Sequence, residues 1–128
     1  MEDEEFDSAL EIVDLLEVPS DKVRLLVEIA LSRSREGDIA GAKKTLAPAL
    51  RIANLIQNAT EKNYSLSYIA AAQGRVDDLA GAKETLATLG TADPRQETEE
   101  RSVYLLNIAQ AQISVGDSAG AKKPWQLL

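Results

Sequence analysis

The sequence predicts an all-α fold of about three antiparallel helix pairs with a period of 39–40 residues and seven helices in all. Three observations carry that expectation. The tetrad Ala40-Gly41-Ala42-Lys43 recurs at Ala80-Gly81-Ala82-Lys83 and at Ala119-Gly120-Ala121-Lys122, spacings of 40 and 39. Ile29-Ala30 recurs at Ile69-Ala70 and Ile108-Ala109 with the same offsets, and Asp38, Asp78 and Asp117 each stand two residues before a tetrad. Between residues 29–46 and 69–86, 10 of 18 positions are identical.

The elements follow in chain order. Residues 1–19 read as a lone acidic helix at about 4–17, because a 40-residue shift pairs Phe6, Ala9, Leu10 and Ile12 with Leu46, Ala49, Leu50 and Ile52. It is therefore the second half of a unit. Units 20–59, 60–98 and 99–128 follow, the last one truncated, in a single domain over 1–128. The second helix, about 20–36, has Val23, Leu26, Val27, Ala30 and Leu31 at helical spacing, Ser20 or Asp21 as candidate cap, and Pro19 ahead. Gly37-Asp38 is a turn, with Gly supplying positive φ and Asp capping the third helix, about 38–57. Pro48 is expected to kink or split that helix. The fourth helix is placed at 60–75, with either Asp77 in the glycine slot of its turn or Gly74 ending the helix early, and the fifth at 78–90. Asp93-Pro94 marks a loop before the sixth, 95–115, and Gly116-Asp117 is read as a third turn before a seventh at 117–127. Glycine near a helix start costs about 1 kcal/mol against alanine. Its recurrence at Gly41, Gly81 and Gly120 is read as small-residue packing that lets two helix axes approach.

Composition narrows the function. The chain has 128 residues, 14 Lys+Arg against 21 Asp+Glu, a formal charge of −7, and neither His nor Cys. That removes disulfides, thiolate chemistry, Cys-based zinc sites and the commonest general base. Asp77-Asp78 and Glu97, Glu99, Glu100 are acid groupings at helix starts, where they complement the dipole. Catalytic, cofactor and metal residues are accordingly expected to be none, and the chain is read as not an enzyme. Acidity and an aromatic content of 4% argue against nucleic acid as a partner. No apolar run is long enough for a membrane span, and the acidic start is unlike a secretory signal, so a cytoplasmic location is expected. The charge is uneven. Residues 1–21 hold nine acids and no base, a charge of −9, whereas residues 22–128 hold 12 acids and 14 bases, a charge of +2.

With the units aligned, the chain resembles the tetratricopeptide repeat family in divergent form. Leu26, Ile29, Ala30, Gly37, Ala42, Leu46 and Ala49 supply that repeat's apolar, small and glycine positions in the first unit. Leu66, Ile69, Ala70, Ala82, Leu86 and Pro94 do so in the second, and Leu105, Ile108, Ala109, Gly116, Ala121 and Trp125 in the third. The period is five or six residues longer than that family's roughly 34. Arg33, Gln73 and Gln112 stand where it often has Tyr. HEAT-type repeats are the fold-level rival.

The resemblance implies a right-handed α–α superhelix, or solenoid, whose first helices line a concave groove. Groove-facing positions would be Arg24, Val27, Glu28, Leu31, Ser34 and Arg35; Tyr64, Ser67, Tyr68, Ala71, Gly74 and Arg75; and Val103, Leu106, Asn107, Gln110, Ile113 and Ser114. The candidate partner-binding residues are Arg24, Val27, Leu31, Arg35, Tyr64, Tyr68, Arg75, Val103, Asn107 and Gln110. Tyr64 and Tyr68, four apart, share a helix face and have the amphipathic shape favoured at binding hot spots. Some family members clamp a partner's terminal carboxylate, but the matching slots hold Val27, Leu31, Tyr68, Val103 and Asn107, of which only Asn107 is a suitable donor. A peptide or partner helix of more apolar character is the implied ligand. The alternative expectation is self-assembly through the C-terminal end, where Trp125, Leu127 and Leu128 are apolar, or membership of a longer array.

Overall fold

The computed structural model describes residues 3–89 and 99–119, and within them the fold is all-helical, with no strand. Six helices are present: α1 (Asp3–Leu15), α2 (Pro19–Arg35), α3 (Ile39–Leu55), α4 (Ala59–Arg75), α5 (Leu79–Thr88) and α6 (Glu99–Ala119). α3 packs on α2 and α5 on α4, each across a three-residue turn. α4 also contacts α2, α3 and α6, so it lies at the centre. The core runs from Phe6 and Val13 through Val23, Leu26, Ile29, Leu46, Leu66, Ile69 and Val76.

The two turns share one construction. Gly37 has φ 89° and Asp77 has φ 63°, the left-handed conformation in which a helix commonly ends. The Asp38 N–H donates to the Arg33 carbonyl at 2.9 Å, and the Asp78 N–H to the Gln73 carbonyl at 2.8 Å. Each Asp then opens the next helix. Asp38 Oδ1 accepts from the Gly41 N–H at 2.8 Å and Asp78 Oδ1 from the Gly81 N–H at 3.1 Å. One residue thus closes one helix with its backbone and starts the next with its side chain. A threonine one turn further on completes the pattern, Thr45 Oγ1 donating to the Gly41 carbonyl at 2.8 Å and Thr85 Oγ1 lying 3.0 Å from that of Gly81.

This explains the repeated glycine differently from the expectation of close helix axes. A Cβ at Gly41 would run into the Asp38 carboxylate, and one at Gly81 into that of Asp78 and to 2.8 Å from Gln73 Nε2. The glycines make room for the caps. Close approach of two helices is instead the role of Gly74, where a Cβ would fall 2.7 Å from Ser114 Cβ on α6.

Other expectations are corrected. Neither Ser20 nor Asp21 caps α2; Val18 is its N-cap, without a side-chain bond, and Pro19 occupies the first turn, where its missing N–H costs nothing. Pro48 does not split α3. The third turn does not form: α6 continues through Gly116 and Asp117 to Ala119. Ending a helix is favoured where the returning helix buries side chains, as Ala42, Thr45 and Leu46 are in α3 and Ala82 and Thr85 in α5. The third copy has Pro124 where Thr45 and Thr85 stand. Six helices are therefore described rather than seven; the remainder of the expected 117–127 helix, the Asp93-Pro94 loop, and Trp125, Leu127 and Leu128 lie outside the described residues.

If the glycines serve the caps, Asp38→Ala and Gly41→Ala are coupled. In the Asp38→Ala background Gly41→Ala is expected to stabilise, by about 1 kcal/mol from helix propensity. With Asp38 present that gain is cancelled or reversed by loss of the cap, also about 1 kcal/mol. Urea melts of the four chains measure the coupling; equal effects in both backgrounds would show that the cap is not the reason.

Candidate partner-binding groove

α2, α4 and α6 lie side by side and leave a groove of about 340 Å³ between them. The residues that face it are spaced by helical arithmetic. Arg24, Glu28, Leu31 and Arg35 fall on one stripe of α2, since steps of four, three and four residues return to nearly the same side of the axis. The 40-residue shift carries these positions to Tyr64, Tyr68, Ala71 and Arg75 on α4, and a further 39 carries the first three to Val103, Asn107 and Gln110 on α6. All of these residues line the groove, together with Val27 and Ala72.

The structure thus brings the ten residues singled out in the sequence onto one surface, in unequal roles. Val27 (1% exposed) and Leu31 are buried and form its floor. Arg24, Arg35, Arg75, Val103 and Gln110 are exposed, and Tyr64, Tyr68 and Asn107 are half-buried on its walls. Ala72 was not singled out; it lies four residues beyond Tyr68, on the same side of α4, and lines the groove with it.

Neighbouring helices are tied across the groove by polar contacts. The Tyr68 hydroxyl donates to Glu28 Oε1 at 2.6 Å, between positions 40 residues apart. Asn107 Nδ2 donates to Ser67 Oγ at 3.3 Å, again 40 apart, while Ser67 Oγ donates to the Tyr64 carbonyl at 2.7 Å. Arg75 donates to Gln110 Oε1 at 3.0 Å. None of these pairings was read from the sequence, although the 40-residue equivalence of positions 28 and 68 was the signal that pointed to the first. Burial, and then the hydrogen bond and charge of Glu28, push the Tyr68 phenol well above the ordinary tyrosine range. Burial also raises Tyr104, whose hydroxyl lies 3.5 Å from the Leu89 carbonyl.

The acidic first helix sits away from this surface. Arg33 stacks on Phe6, its guanidinium carbon 4.6 Å from the ring centroid. Arg33 is nine residues beyond Arg24, half a turn round α2 from the groove stripe. The slot that departs from the tetratricopeptide pattern therefore holds α1 to α2. Its counterpart, buried Gln73, takes a bond from Thr85 Oγ1 at 2.7 Å and holds α5 to α4.

Among the described residues, no group of three or more His, Cys, Asp or Glu is arranged to hold a metal ion, and no helix is long and apolar enough to cross a membrane. Comparison of the chain with protein-family models, with curated proteins and with solved structures finds no match.

The phenol offers a direct check of the groove's geometry. Glu28→Gln removes a negative charge and an anionic acceptor, so the Tyr68 ionisation should move down towards its ordinary value while staying above it because burial remains. Absorbance of the phenolate against pH, with Tyr68→Phe to assign the step, reads this; an unmoved step would place Glu28 elsewhere. The sign for stability follows. A tyrosine with a raised folded-state pKa contributes fully below about pH 10 and loses that contribution as the pH rises through the higher folded value. Tyr68→Phe should therefore flatten the alkaline decline.

Proposed function

We propose that the chain is a tetratricopeptide-like repeat module, a right-handed superhelical array, that binds a peptide or partner helix of another protein in the groove between α2, α4 and α6, without catalysis and in the cytoplasm. The observation that carries this reading is the surface itself. Three helices at a 39–40-residue interval turn the same stripe outwards, and it combines a floor of Val27 and Leu31, two half-buried tyrosines and exposed arginines. Aromatic and Arg side chains over an apolar floor are the composition of an interaction hot spot. Repeat arrays present extended surfaces of this kind. The absence of His and Cys and the structural use made of Asp38, Asp78, Thr45 and Thr85 support a binding role over a catalytic one.

A second reading, self-association, is favoured by one observation. α6 exposes Leu106 and Ile113, seven residues apart and so on one face, at 60% and 40%. A second copy would cover that face. Sedimentation over a concentration series tests it: a monomer at every concentration removes this reading.

The groove reading is tested by selecting a displayed random-peptide library on the wild-type chain and repeating the selection on the Tyr64→Ala/Tyr68→Ala variant. Peptides enriched by the wild type are expected to lose binding to the variant by about tenfold or more, as hot-spot truncation of about 2 kcal/mol implies. Tyr68→Phe, which keeps the ring, should retain most of the binding. The same peptides bound equally by all three chains would contradict the assignment.

A further inference from the structure

We propose that the segment the groove receives is acidic, carrying Asp or Glu side chains that meet Arg35 and Arg75 and an apolar or aromatic residue that rests on Tyr64 and Tyr68. This inference rests on the reading of the groove as a peptide-binding surface and adds the chemistry of its occupant.

The argument is one of charge placement. The chain as a whole carries −7, yet the groove is lined by three guanidinium groups and one carboxylate, a net of +2. These charges are not evenly spread. Arg24 stands one turn before Glu28 on α2, so those two offset each other at one end. Glu28 also accepts from Tyr68. The excess lies at the other end, on Arg35 and Arg75, which are equivalent positions on adjacent helices. Neither is neutralised. Arg75 bonds a neutral amide, Gln110, and among the described residues Arg35 is in no ion pair. Two like charges on neighbouring helices repel, and an anionic group between them removes that repulsion. Guanidinium is also the side chain best matched to carboxylate geometry.

The rest of the molecule preserves this contrast. The α1 acids Glu5, Asp7, Glu11 and Asp14 belong to a helix held by the Arg33–Phe6 contact on the side of α2 away from the groove stripe, and none of them lines the groove. A basic patch on an otherwise acidic chain attracts acidic segments locally and orients them during approach. The third helix lacks the arginine: Ser114 follows Gln110 at the equivalent step and packs against Gly74. The carboxylates are therefore met by α2 and α4, next to the tyrosines of α4. This differs from capture of a chain-terminal carboxylate, because it uses side chains at Arg35 and Arg75 and needs no free end.

The test reads the composition of the peptides selected above, displayed with their C-terminus fused to the carrier so that no terminal carboxylate is offered. Peptides that depend on Tyr64 and Tyr68 are expected to carry net negative charge. Arg35→Glu/Arg75→Glu should weaken them by about tenfold or more and move a fresh selection towards basic peptides. Arg35→Lys/Arg75→Lys should keep the acidic bias. Affinity for the acidic peptides should fall as salt rises. Tyrosine-dependent peptides with no charge bias, or a bias unchanged by the double reversal, would overturn the acidic-segment proposal and leave the groove reading standing. No tyrosine-dependent enrichment at all would overturn both. Enrichment dominated by displacement with an excess of a synthetic 1–21 peptide, together with salt-sensitive self-association, would identify the occupant as a second copy and overturn the proposal of a foreign partner.

Discussion

The position of α4 constrains everything around it. Four other helices pack on it, and a helix so covered has little room for side chains. Its sequence answers that with small residues: Ser65, Ser67, Ala70, Ala71 and Ala72 are all buried, and Gly74 lies against Ser114. Dense packing means that a larger side chain at any of these points has to be accommodated by moving a neighbour. Close spacing of α2, α4 and α6 is also what allows side chains 40 residues apart to touch, as Glu28 and Tyr68 do at 2.6 Å. The groove is a consequence of that spacing.

The second determinant is the turn. Asp38 and Asp78 each satisfy the end of one helix and the start of the next, so a single residue type sets both the reversal and its length. With two reversals of the same construction, α2 and α4 present equivalent stripes to the same side. That places Arg24 beside Tyr64 in sequence equivalence, Glu28 beside Tyr68 and Arg35 beside Arg75. The groove and the backbone geometry share one origin in the 40-residue repeat.

Much of this was legible in the sequence because a strong repeat could be aligned with a known pattern. A 40-residue repeat located the helix pairs, and the tetratricopeptide resemblance implied which positions of the first helices face a groove; the ten candidate residues all line it. What was misread depended on partners far from the local pattern. Gly41 and Gly81 looked like contact points between helix axes, but the nearest obstacles are the side chains of their own caps. Gly116-Asp117 has the same two residues as Gly37-Asp38, yet it stays helical, since a turn depends on what the returning helix buries as well as on its own residues. Val27 and Leu31 share the stripe with Arg24 but are buried by neighbouring helices, which one helix's periodicity does not report. Arg33 and Gln73 looked like mere departures from a repeat pattern; the structure gives them Phe6 and Thr85 as partners.

The central claim is that α2, α4 and α6 stand side by side with residues 40 apart in the chain meeting between neighbouring helices. Proton–proton nuclear Overhauser contacts test it most directly in the unmodified chain. The account predicts cross-peaks between Glu28 and the Tyr68 ring, between Ser67 and Asn107, and between Gly74 and Ser114. Helical patterns within α2, α4 and α6 without these contacts would contradict the register, and with it the groove.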